Sequence, residues 1–304
     1  MTGASGFIGR ALIRELLEND YFVYALVREH SLPELLLSKQ CCPLVTDLTQ
    51  TSKYDSLLDI KHVDVIFHLA WMGVSGKAKA DTEVQLKNVQ FTLDLLEMSE
   101  KWGCKRFVAT GSLMELEVAS SLLKPCSLGQ DYLYGAGKAI AHAMSEIIGR
   151  KSGVEVIWPI ITNAYGVGET NLRMINSTIL KCLNNEEVFF TEGKHNYDFI
   201  YVDDVAKALR LLAEKGHAGK QYIIGSGHAR PLKEFLLEMQ AEIAPEIPFV
   251  FGKIPYKGNN VPIIFFDTTE LEKDTGFRPE ISFREGCRRT YEWWKRKKNS
   301  GSGL

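Results

Sequence analysis

The sequence lacks a long uninterrupted apolar run, and it lacks an excess of either charge. No apolar stretch reaches the roughly 18 consecutive residues that cross a membrane as a helix, and no signal peptide is predicted. The 36 lysines and arginines nearly balance the 38 aspartates and glutamates, which leaves a formal net charge of -2. A protein with this balance has no strong electrostatic attraction to nucleic acid or to an anionic membrane surface. We therefore expect a cytoplasmic protein that binds neither nucleic acid nor a membrane.

Cysteine motifs that bind metals are also missing. The six cysteines form no CxxC motif, and none lies near a histidine at metal-ligand spacing. Neither a disulfide framework nor a metal site is therefore predicted. There is no internal repeat, and residues 299–304, which are rich in serine and glycine, are predicted to form a flexible tail.

The sequence does contain apolar runs that alternate with amphipathic segments. Strands are predicted at 22–27, 63–69, 106–110 and 154–160, and helices at 8–17, 82–102 and 135–150. Uninterrupted apolar strands are typical of parallel strands that are covered on both faces. The alternation predicts an α/β fold with a doubly wound parallel sheet over residues 1–166. Residues 167–298 are predicted to form mainly a smaller C-terminal lobe, with 197–225 returning to the sheet.

A glycine-rich loop opens the chain. Residues 2–9 read TGASGFIG, a GxxGxxG pattern that is followed at once by a predicted helix. Glycines let a backbone turn tightly and approach a pyrophosphate, and the start of the helix offers free N–H groups. The alternative is a plain loop. Because a buried strand of about five residues is expected before such a loop, we expect the first strand to be truncated, either in this sequence or in the natural protein.

Tyr134 and Lys138 form a YxxxK pair, which places both side chains on one face of a helix. An ammonium next to a phenol lowers the pKa of the phenol, so such a tyrosine can exchange a proton with a carbonyl or an alcohol. The alternative is an exposed helix pair. Ser112 ends an upstream strand, where its hydroxyl can hydrogen-bond a reacting oxygen in the ligand crevice. Its alternative role is a helix or turn cap.

Other short motifs accompany these residues. They are DL at 47–48, HLA at 68–70, NVQFT at 88–92, NAYG at 163–166 and YDFIYVDDVA at 197–206. With these motifs, nearly the whole chain resembles the extended short-chain dehydrogenase/reductase family, the NAD-dependent epimerase/dehydratase group that acts on nucleotide sugars. The resemblance implies a Rossmann-type sheet with a smaller C-terminal substrate-binding lobe. By family analogy, the helices at 82–102 and 134–150 pair across a homodimer.

The resemblance also implies roles for individual residues. The catalytic residues are Ser112, Tyr134 and Lys138. The predicted cofactor contacts are Gly3, Ser5, Gly6, Phe7, Ile8, Gly9, Asp47, Leu48, Leu69, Ala70, Tyr134 and Lys138. The predicted substrate contacts are Ser112, Leu113, Tyr134, Asn163 and Arg173. Asn88 either steadies the catalytic helix or has a capping or core role, and Trp71 and Met72 either line the substrate pocket or pack beneath a loop.

Two arginines that are frequent in the family are absent. Ile160 stands in the strand before NAYG, and Tyr197 takes the place of an arginine that commonly grips the nucleotide phosphates. Arg173, Lys194 or Arg230 is the candidate replacement. The alternative is that each of the three is a surface charge.

The end of the predicted strand at 22–27 indicates which cofactor is bound. NAD sites of this fold carry an acidic residue there, whereas this chain has Val27 followed by Arg28. A guanidinium can bind a 2′-phosphate through two hydrogen bonds. Arg28 therefore predicts NADP, with NAD as the alternative because Glu29 is also near.

The residues after Ser112 bear on the reaction type. Dehydratases of the resembled family have an Asp-Glu pair there, whereas this chain has Leu113 and Met114. Glu115 is expected on a strand or turn from which it need not face the substrate. The predicted function is hydride transfer at a carbonyl or hydroxyl carbon of a nucleotide-linked sugar, as a keto-sugar reductase or epimerase. Two alternatives are an NADPH-dependent ketone reductase on a non-sugar substrate and a non-catalytic NADP-sensing regulatory protein.

Overall fold

The structure is a computed structural model that describes residues 1–28, 38–46, 62–122, 128–256, 258 and 260–300. Within these residues the strands are β1 Val23–Val27, β2 Cys41–Val45, β3 Val65–His68, β4 Arg106–Ala109, β5 Gly111–Ser112, β6 Glu155–Ile157, β7 Ile160–Ile161, β8 Asn163–Tyr165, β9 Val188–Phe189, β10 Asn196–Tyr197, β11 Phe199–Tyr201, β12 Ile223–Ile224, β13 Arg230–Pro231 and β14 Phe249–Val250. The helices are α1 Phe7–Glu18, α2 Thr82–Lys101, α3 Leu113–Ser121, α4 Leu133–Ser152, α5 Met174–Leu183, α6 Val202–Lys215, α7 Leu232–Ile243, α8 Thr269–Thr275 and α9 Phe283–Asn299.

The described chain divides into two compact units. The first contains Met1–Ile161, Ala206–Ile224 and Thr269–Phe277, and the second contains Thr162–Val205, Gly225–Thr268 and Arg278–Leu304. The assignment of cofactor binding to the first part of the chain and substrate binding to the second stays a prediction. None of the described helices is long and apolar enough to span a membrane.

A parallel sheet organises the first unit. Strand β1 pairs with β2 on one side, and on the other side Leu26 N–H donates to the carbonyl of Met1 at 2.9 Å. Thr2 in turn donates to Phe67 of β3 at 2.9 Å, and β3 continues through β4 to β6. Met1 and Thr2 therefore lie between β1 and β3, at the centre of the strand order. From this point β1 and β2 are added on one side, and β3, β4 and β6 on the other. This order confirms the Rossmann-type, doubly wound α/β fold.

Two neighbouring strands of the sheet are interrupted, one between β4 and β5 and the other between β6 and β7. The pairing register is the same before and after these breaks. Arg106 of β4 lies opposite Glu155 of β6, and Gly111 of β5 lies opposite Ile160 of β7. Strand β12 then pairs in parallel with β7. The carboxyl ends of these strands therefore lie along one edge, with Ser112 at the end of β5.

The helices of the first unit form where the sequence supplies caps and an apolar face. Asp81 caps α2 by accepting a hydrogen bond from Val84 N–H at 3.1 Å. Gly153 ends α4 in the left-handed conformation at φ 76°, which glycine adopts without steric strain. Helices α2 and α4 pack against each other. Their inward faces join the sheet in one apolar core, which includes Leu96, Phe107 and Trp158.

The second unit has an aromatic core around Tyr165, which is almost fully buried. Its hydroxyl donates to the carbonyl of Phe283 at 3.1 Å, and its ring contacts Phe199, Tyr201 and Phe283. The buried carboxylate of Asp204 accepts from the N–H groups of residues 280 and 281. These bonds hold the segment that leads into α9.

Candidate active site

The glycine loop packs tightly against the end of β3. Gly3 has φ of 69°, and a Cβ there would stand 2.7 Å from the amide nitrogen of Ala70 and 2.8 Å from the carbonyl carbon of Leu69. A Cβ on Gly9 would overlap the carbonyl oxygen of Gly3. Gly6 is the N-cap of α1 and has no side chain to occupy the first N–H groups. Gly3 and Gly9 therefore leave no room for a side chain, and the loop leaves a helix start open to an anion.

A buried histidine joins this loop to α2. His68 Nδ1 lies 2.8 Å from Thr2 Oγ1, and His68 Nε2 lies 3.0 Å from Thr92 Oγ1. Because Thr92 Oγ1 already donates its proton to the carbonyl of Asn88 at 2.8 Å, it accepts from His68 Nε2–H. His68 Nδ1 therefore accepts from Thr2, whose oxygen accepts from Ala70 N–H at 3.2 Å. Burial lowers the pKa of His68 to about 3, and the charge on Lys138 acts in the same direction.

Two side chains of α2 hold the backbone after Ala70. Asn88 accepts from Met72 N–H at 2.8 Å and donates to the Met72 carbonyl at 2.8 Å. Gln85 accepts from Trp71 Nε1–H at 2.8 Å and donates to the carbonyl of Gly73 at 3.2 Å. Removing such a side chain leaves polar groups unpaired, at a cost of about 1–3 kcal/mol when they are buried. Asn88 thus fixes the loop that follows β3.

The predicted catalytic pair lies on the first two turns of α4. Lys138 is buried, and its Nζ donates to the carbonyl of Thr110 at 2.5 Å. The same Nζ lies 3.8 Å from the centre of the Trp71 ring. Burial lowers the pKa of Lys138 to about 7, and the negative charge of Glu115 acts in the opposite direction.

Tyr134 is half-buried one turn before Lys138. Its ring meets Trp71 edge-on, with ring centres 6.2 Å apart, and Lys79 Nζ lies 5.7 Å from the ring centre. Gly135 and Gly137 allow α4 to approach its neighbours, because a Cβ on Gly135 would stand 2.7 Å from the carbonyl oxygen of Met114. Trp71 therefore contacts both members of the pair.

Ser112 is the N-cap of α3, which corrects the expectation of a strand or turn after Leu113. The Ser112 hydroxyl accepts from Met114 N–H at 3.4 Å, a long hydrogen bond, and Glu115 accepts from Ser112 N–H at 2.7 Å. This reciprocal arrangement is a capping box. Sequence reasoning missed the helix although Ser-x-x-Glu is its usual signature.

The structure brings together the predicted residues of the first unit in two places. Leu69 and Ala70 lie against the glycine loop. Ser112, Tyr134 and Lys138 lie around the carboxyl ends of β4 and β5, linked through Thr110, Trp71 and helix α3. Leu113 and Met114 occupy the first turn of that helix.

Other predicted residues lie elsewhere or outside the described residues. Ser5 accepts a hydrogen bond from Arg10 at 3.2 Å, Phe7 and Ile8 begin α1, and Arg28 is exposed directly after β1. Asp47 and Leu48 lie outside the described residues.

Asn163 and Arg173 belong to the second unit. Asn163 Nδ2 donates to the carbonyl of Asp198 at 2.9 Å. The Arg173 guanidinium donates to Glu169 at 2.7 Å and to the carbonyl of Ala164 at 2.8 Å. Among the described residues, no group of three or more His, Cys, Asp or Glu side chains could hold a metal ion.

Fold and site together define a Rossmann-type α/β protein with a glycine loop and a tyrosine–lysine pair. The sequence model of the NAD dependent epimerase/dehydratase family matches residues 1–225, and the chain belongs to that family of enzymes. The chain is 27% identical, over 97% of both sequences, to a putative UDP-glucose 4-epimerase of Methanocaldococcus jannaschii. It is 22% identical, over 97% of this chain and 96% of the relative, to the dTDP-glucose 4,6-dehydratase of Haemophilus influenzae.

A solved structure shares the fold. It is a UDP-glucuronic acid 4-epimerase mutant from Bacillus cereus, in complex with UDP-4-deoxy-4-fluoro-glucuronic acid and NAD. The TM-score is 0.80 at 18% identity, with 97% of this chain and 98% of that chain covered. The resemblance to the epimerase/dehydratase family is thereby confirmed.

Proposed function

We propose that this protein transfers hydride between a nicotinamide cofactor and a carbonyl or hydroxyl carbon of a nucleotide-linked sugar. The observation that carries the proposal is the buried Lys138 ammonium at the carboxyl end of β4. Tyr134 lies one helical turn before it, and Ser112 follows Thr110 by two residues. Three groups that can move or stabilise a proton therefore surround one strand end.

The chain's own residues fit the cofactor and supply the proton chemistry. Gly3 and Gly9 leave the loop without side chains where a pyrophosphate needs close approach. The bound nicotinamide supplies or accepts the hydride. Tyr134 is the proposed acid or base at the substrate oxygen, and Ser112 donates a hydrogen bond to that oxygen. Lys138, when protonated, favours the phenolate of Tyr134.

Replacement of Tyr134 by phenylalanine tests this proposal. Turnover should fall by roughly two to four orders of magnitude, the usual effect of losing a positioned acid or base. Cofactor binding and thermal stability should stay near those of the wild type, because only a hydroxyl is removed. Turnover is measured with NAD(H) and NADP(H) against a panel of nucleotide sugars. A Tyr134→Phe enzyme that is as fast as the wild type would refute the mechanism.

Arg230 is the best placed of the three candidate replacements for the missing phosphate-binding arginine. In the second unit, β10 and β13 pair so that Arg230 lies directly opposite Tyr197, where the family often has arginine. Its guanidinium lies 4.1 Å from the centre of the Phe235 ring and pairs with Glu238, while its buried Nε has no hydrogen-bond partner among the described residues. Lys194, by contrast, is 82% exposed and pairs with Glu192.

The second proposal concerns the cofactor. The family name and the Bacillus cereus structure refer to NAD. We propose that this chain prefers NADP, because Arg28 is exposed directly after β1, where NAD sites carry an acidic residue. A guanidinium at that point can bind a 2′-phosphate.

Cofactor affinities of the wild type and Arg28→Ala test this preference. NADPH should bind more tightly than NADH, and Arg28→Ala should weaken NADPH by about tenfold or more while NADH changes little, since a charged hydrogen bond contributes about 1.5–3 kcal/mol. Arg14→Ala, an exposed arginine on α1, is the matched control and should change neither affinity. NADH binding as tightly as NADPH in the wild type would contradict the proposal.

A further inference from the structure

Glu115 is a buried acid that the proposed mechanism does not use. Its side chain is only 4% exposed, although it lies on the first turn of α3 next to Ser112. Carboxylates are rarely buried unless they are paired or fully hydrogen-bonded. Glu115 therefore needs partners within this unit, and the structure supplies them from three elements.

Both carboxylate oxygens of Glu115 are engaged. Oε1 accepts from Ser112 N–H at 2.7 Å and from Trp158 Nε1–H at 3.4 Å. Oε2 lies 3.3 Å from His142 Nδ1. The His142 ring stacks on Trp158 with ring centres 5.0 Å apart. The partners of the carboxylate thus come from β5, from α4 and from the segment between β6 and β7.

Lys138 and this carboxylate meet at Trp158, whose Nε1–H donates to Glu115 Oε1 at 3.4 Å and whose ring centre lies 5.8 Å from Lys138 Nζ. The ammonium lies among the rings of Trp71 and Trp158 and has the carbonyl of Thr110 as its hydrogen-bond acceptor. Burial lowers the pKa of Lys138, and Glu115 is the acidic group that raises it. His68, which Lys138 also influences, is neutral at physiological pH because burial lowers its pKa. Without Glu115, the carbonyl of Thr110 and the two tryptophan rings would still surround the Lys138 ammonium, but none of them carries a negative charge.

We propose that Glu115 is a positioning residue of the active site, whose carboxylate fixes the Ser112 backbone and stabilises the ammonium form of Lys138. The catalytic roles of Ser112 and Lys138 rest on the proposed function. The coupling between the charges of Glu115 and Lys138 does not depend on it. His142 holds the second oxygen of Glu115 and faces Glu146 through its other nitrogen, at 3.5 Å. Tyr134, one turn before Lys138, and His142 and Glu146, beyond it, are the other titratable groups of α4 near this pair.

Direct titration of Lys138 tests the coupling without any assay of activity. Lysine labelled at the ε-carbon is followed by NMR against pH in the full chain, and Lys138→Met identifies the resonance. In Glu115→Gln, which keeps an oxygen acceptor for Ser112 and Trp158, the pKa of Lys138 should fall by about one unit or more, the usual effect of a lost opposite charge. An unchanged pKa of Lys138 would overturn the proposal.

Glu146→Gln is the matched control. It removes a carboxylate that also contacts His142 but lies eight residues beyond Lys138, about 12 Å along the helix axis. The pKa of Lys138 should stay within about 0.3 unit of the wild type, whereas a shift as large as that of Glu115→Gln would show a non-specific effect and contradict the proposal.

The double variant Glu115→Gln/Lys138→Met decides the matter if Glu115→Gln alone does not fold. A folded double variant would show that the single variant fails because a buried ammonium is left unpaired. A double variant as unfolded as the single one would contradict the coupling. In the active enzyme, the alkaline limb of kcat/KM should move to lower pH in Glu115→Gln, whereas a purely structural role would lower the rate without moving that limb.

Two outcomes separate this inference from the proposed function. Full turnover in Tyr134→Phe refutes the catalytic mechanism and leaves the NMR result on Lys138 standing. Loss of turnover in Tyr134→Phe with an unshifted Lys138 in Glu115→Gln refutes only the role of Glu115.

Discussion

His68 shows how a single residue can have a function that its neighbours in sequence do not reveal. In the motif HLA it marks the end of β3, but the structure makes it the central link between Thr2 and Thr92. Those partners are 66 and 24 residues away in the chain. Such contacts depend on the packing of separate segments, so spacing rules cannot predict them.

The neutral state of His68 makes stability depend on pH. Burial lowers its pKa from 6.5 to about 3, so between these values the unfolded chain binds a proton that the folded chain does not. The free energy of unfolding should therefore decrease as the pH falls from about 6.5 towards 3, with a slope of at most about 1.4 kcal/mol per unit from this group. Denaturant titrations of the wild type and His68→Asn from pH 4 to 7 measure this slope. The variant should show a shallower dependence, and equal slopes would contradict the assignment.

Residue spacing predicts the glycine loop and the tyrosine–lysine pair, but it does not predict which residues hold them in place. Trp71 was predicted either to line the substrate pocket or to pack beneath a loop, and the structure places it against both Tyr134 and Lys138. Gln85 and Glu115 were given no supporting role by their sequence context. Each supports the site through side-chain bonds to other elements, which become visible only when those elements are packed.

At the scale of elements, long apolar or amphipathic segments were predictable and short ones were not. Helix α2 was predicted at 82–102 and spans Thr82–Lys101. Helix α3 was missed because a nine-residue helix directly after a strand gives little periodicity. The helical residues Glu115 and Val118 are buried while Leu122, just beyond, is 81% exposed. Its capping box was therefore a better guide than its apolar pattern.

Helix α3 also affects the expected product. Leu113 and Met114 form its first turn, and the carboxylate of Glu115 is already bonded to Ser112 and Trp158. No carboxylate on this turn is free to assist loss of water, and each missing proton-transfer group slows a step by roughly 10²–10⁴. We expect mass spectrometry to show either a gain of two hydrogens with cofactor oxidation or an unchanged mass with inverted stereochemistry. A main product that has lost one water would contradict the expectation.

At the scale of the whole molecule, the outer face of α4 is unusually apolar. Ile140, Met144 and Ile147 are 45%, 42% and 67% exposed and follow the spacing of one helix face. Leu86 on the neighbouring α2 is 57% exposed. Exposed apolar stripes of this kind are typical of interaction surfaces. We propose that a second copy of the chain covers it, in accordance with the family analogy.

A charged residue on this stripe tests the dimer. Ile147→Glu should convert a dimer into a monomer, because association would bury an unpaired carboxylate, and light scattering after size-exclusion chromatography measures the mass. Leu122→Glu is the control, since Leu122 is also exposed but lies just beyond α3, and it should leave the mass unchanged. A wild type that is monomeric at all concentrations would refute the dimer.

The bidentate hold of Asn88 on the Met72 peptide has a consequence for binding entropy. The backbone after Ala70 is fixed by α2 through protein bonds alone, so this wall of the proposed cofactor site has its shape before any ligand arrives. Ordering a loop on binding opposes association, and here that ordering has already occurred during folding. The glycine loop packs against the same strand end, and we therefore expect a dinucleotide to bind without rearrangement of this wall.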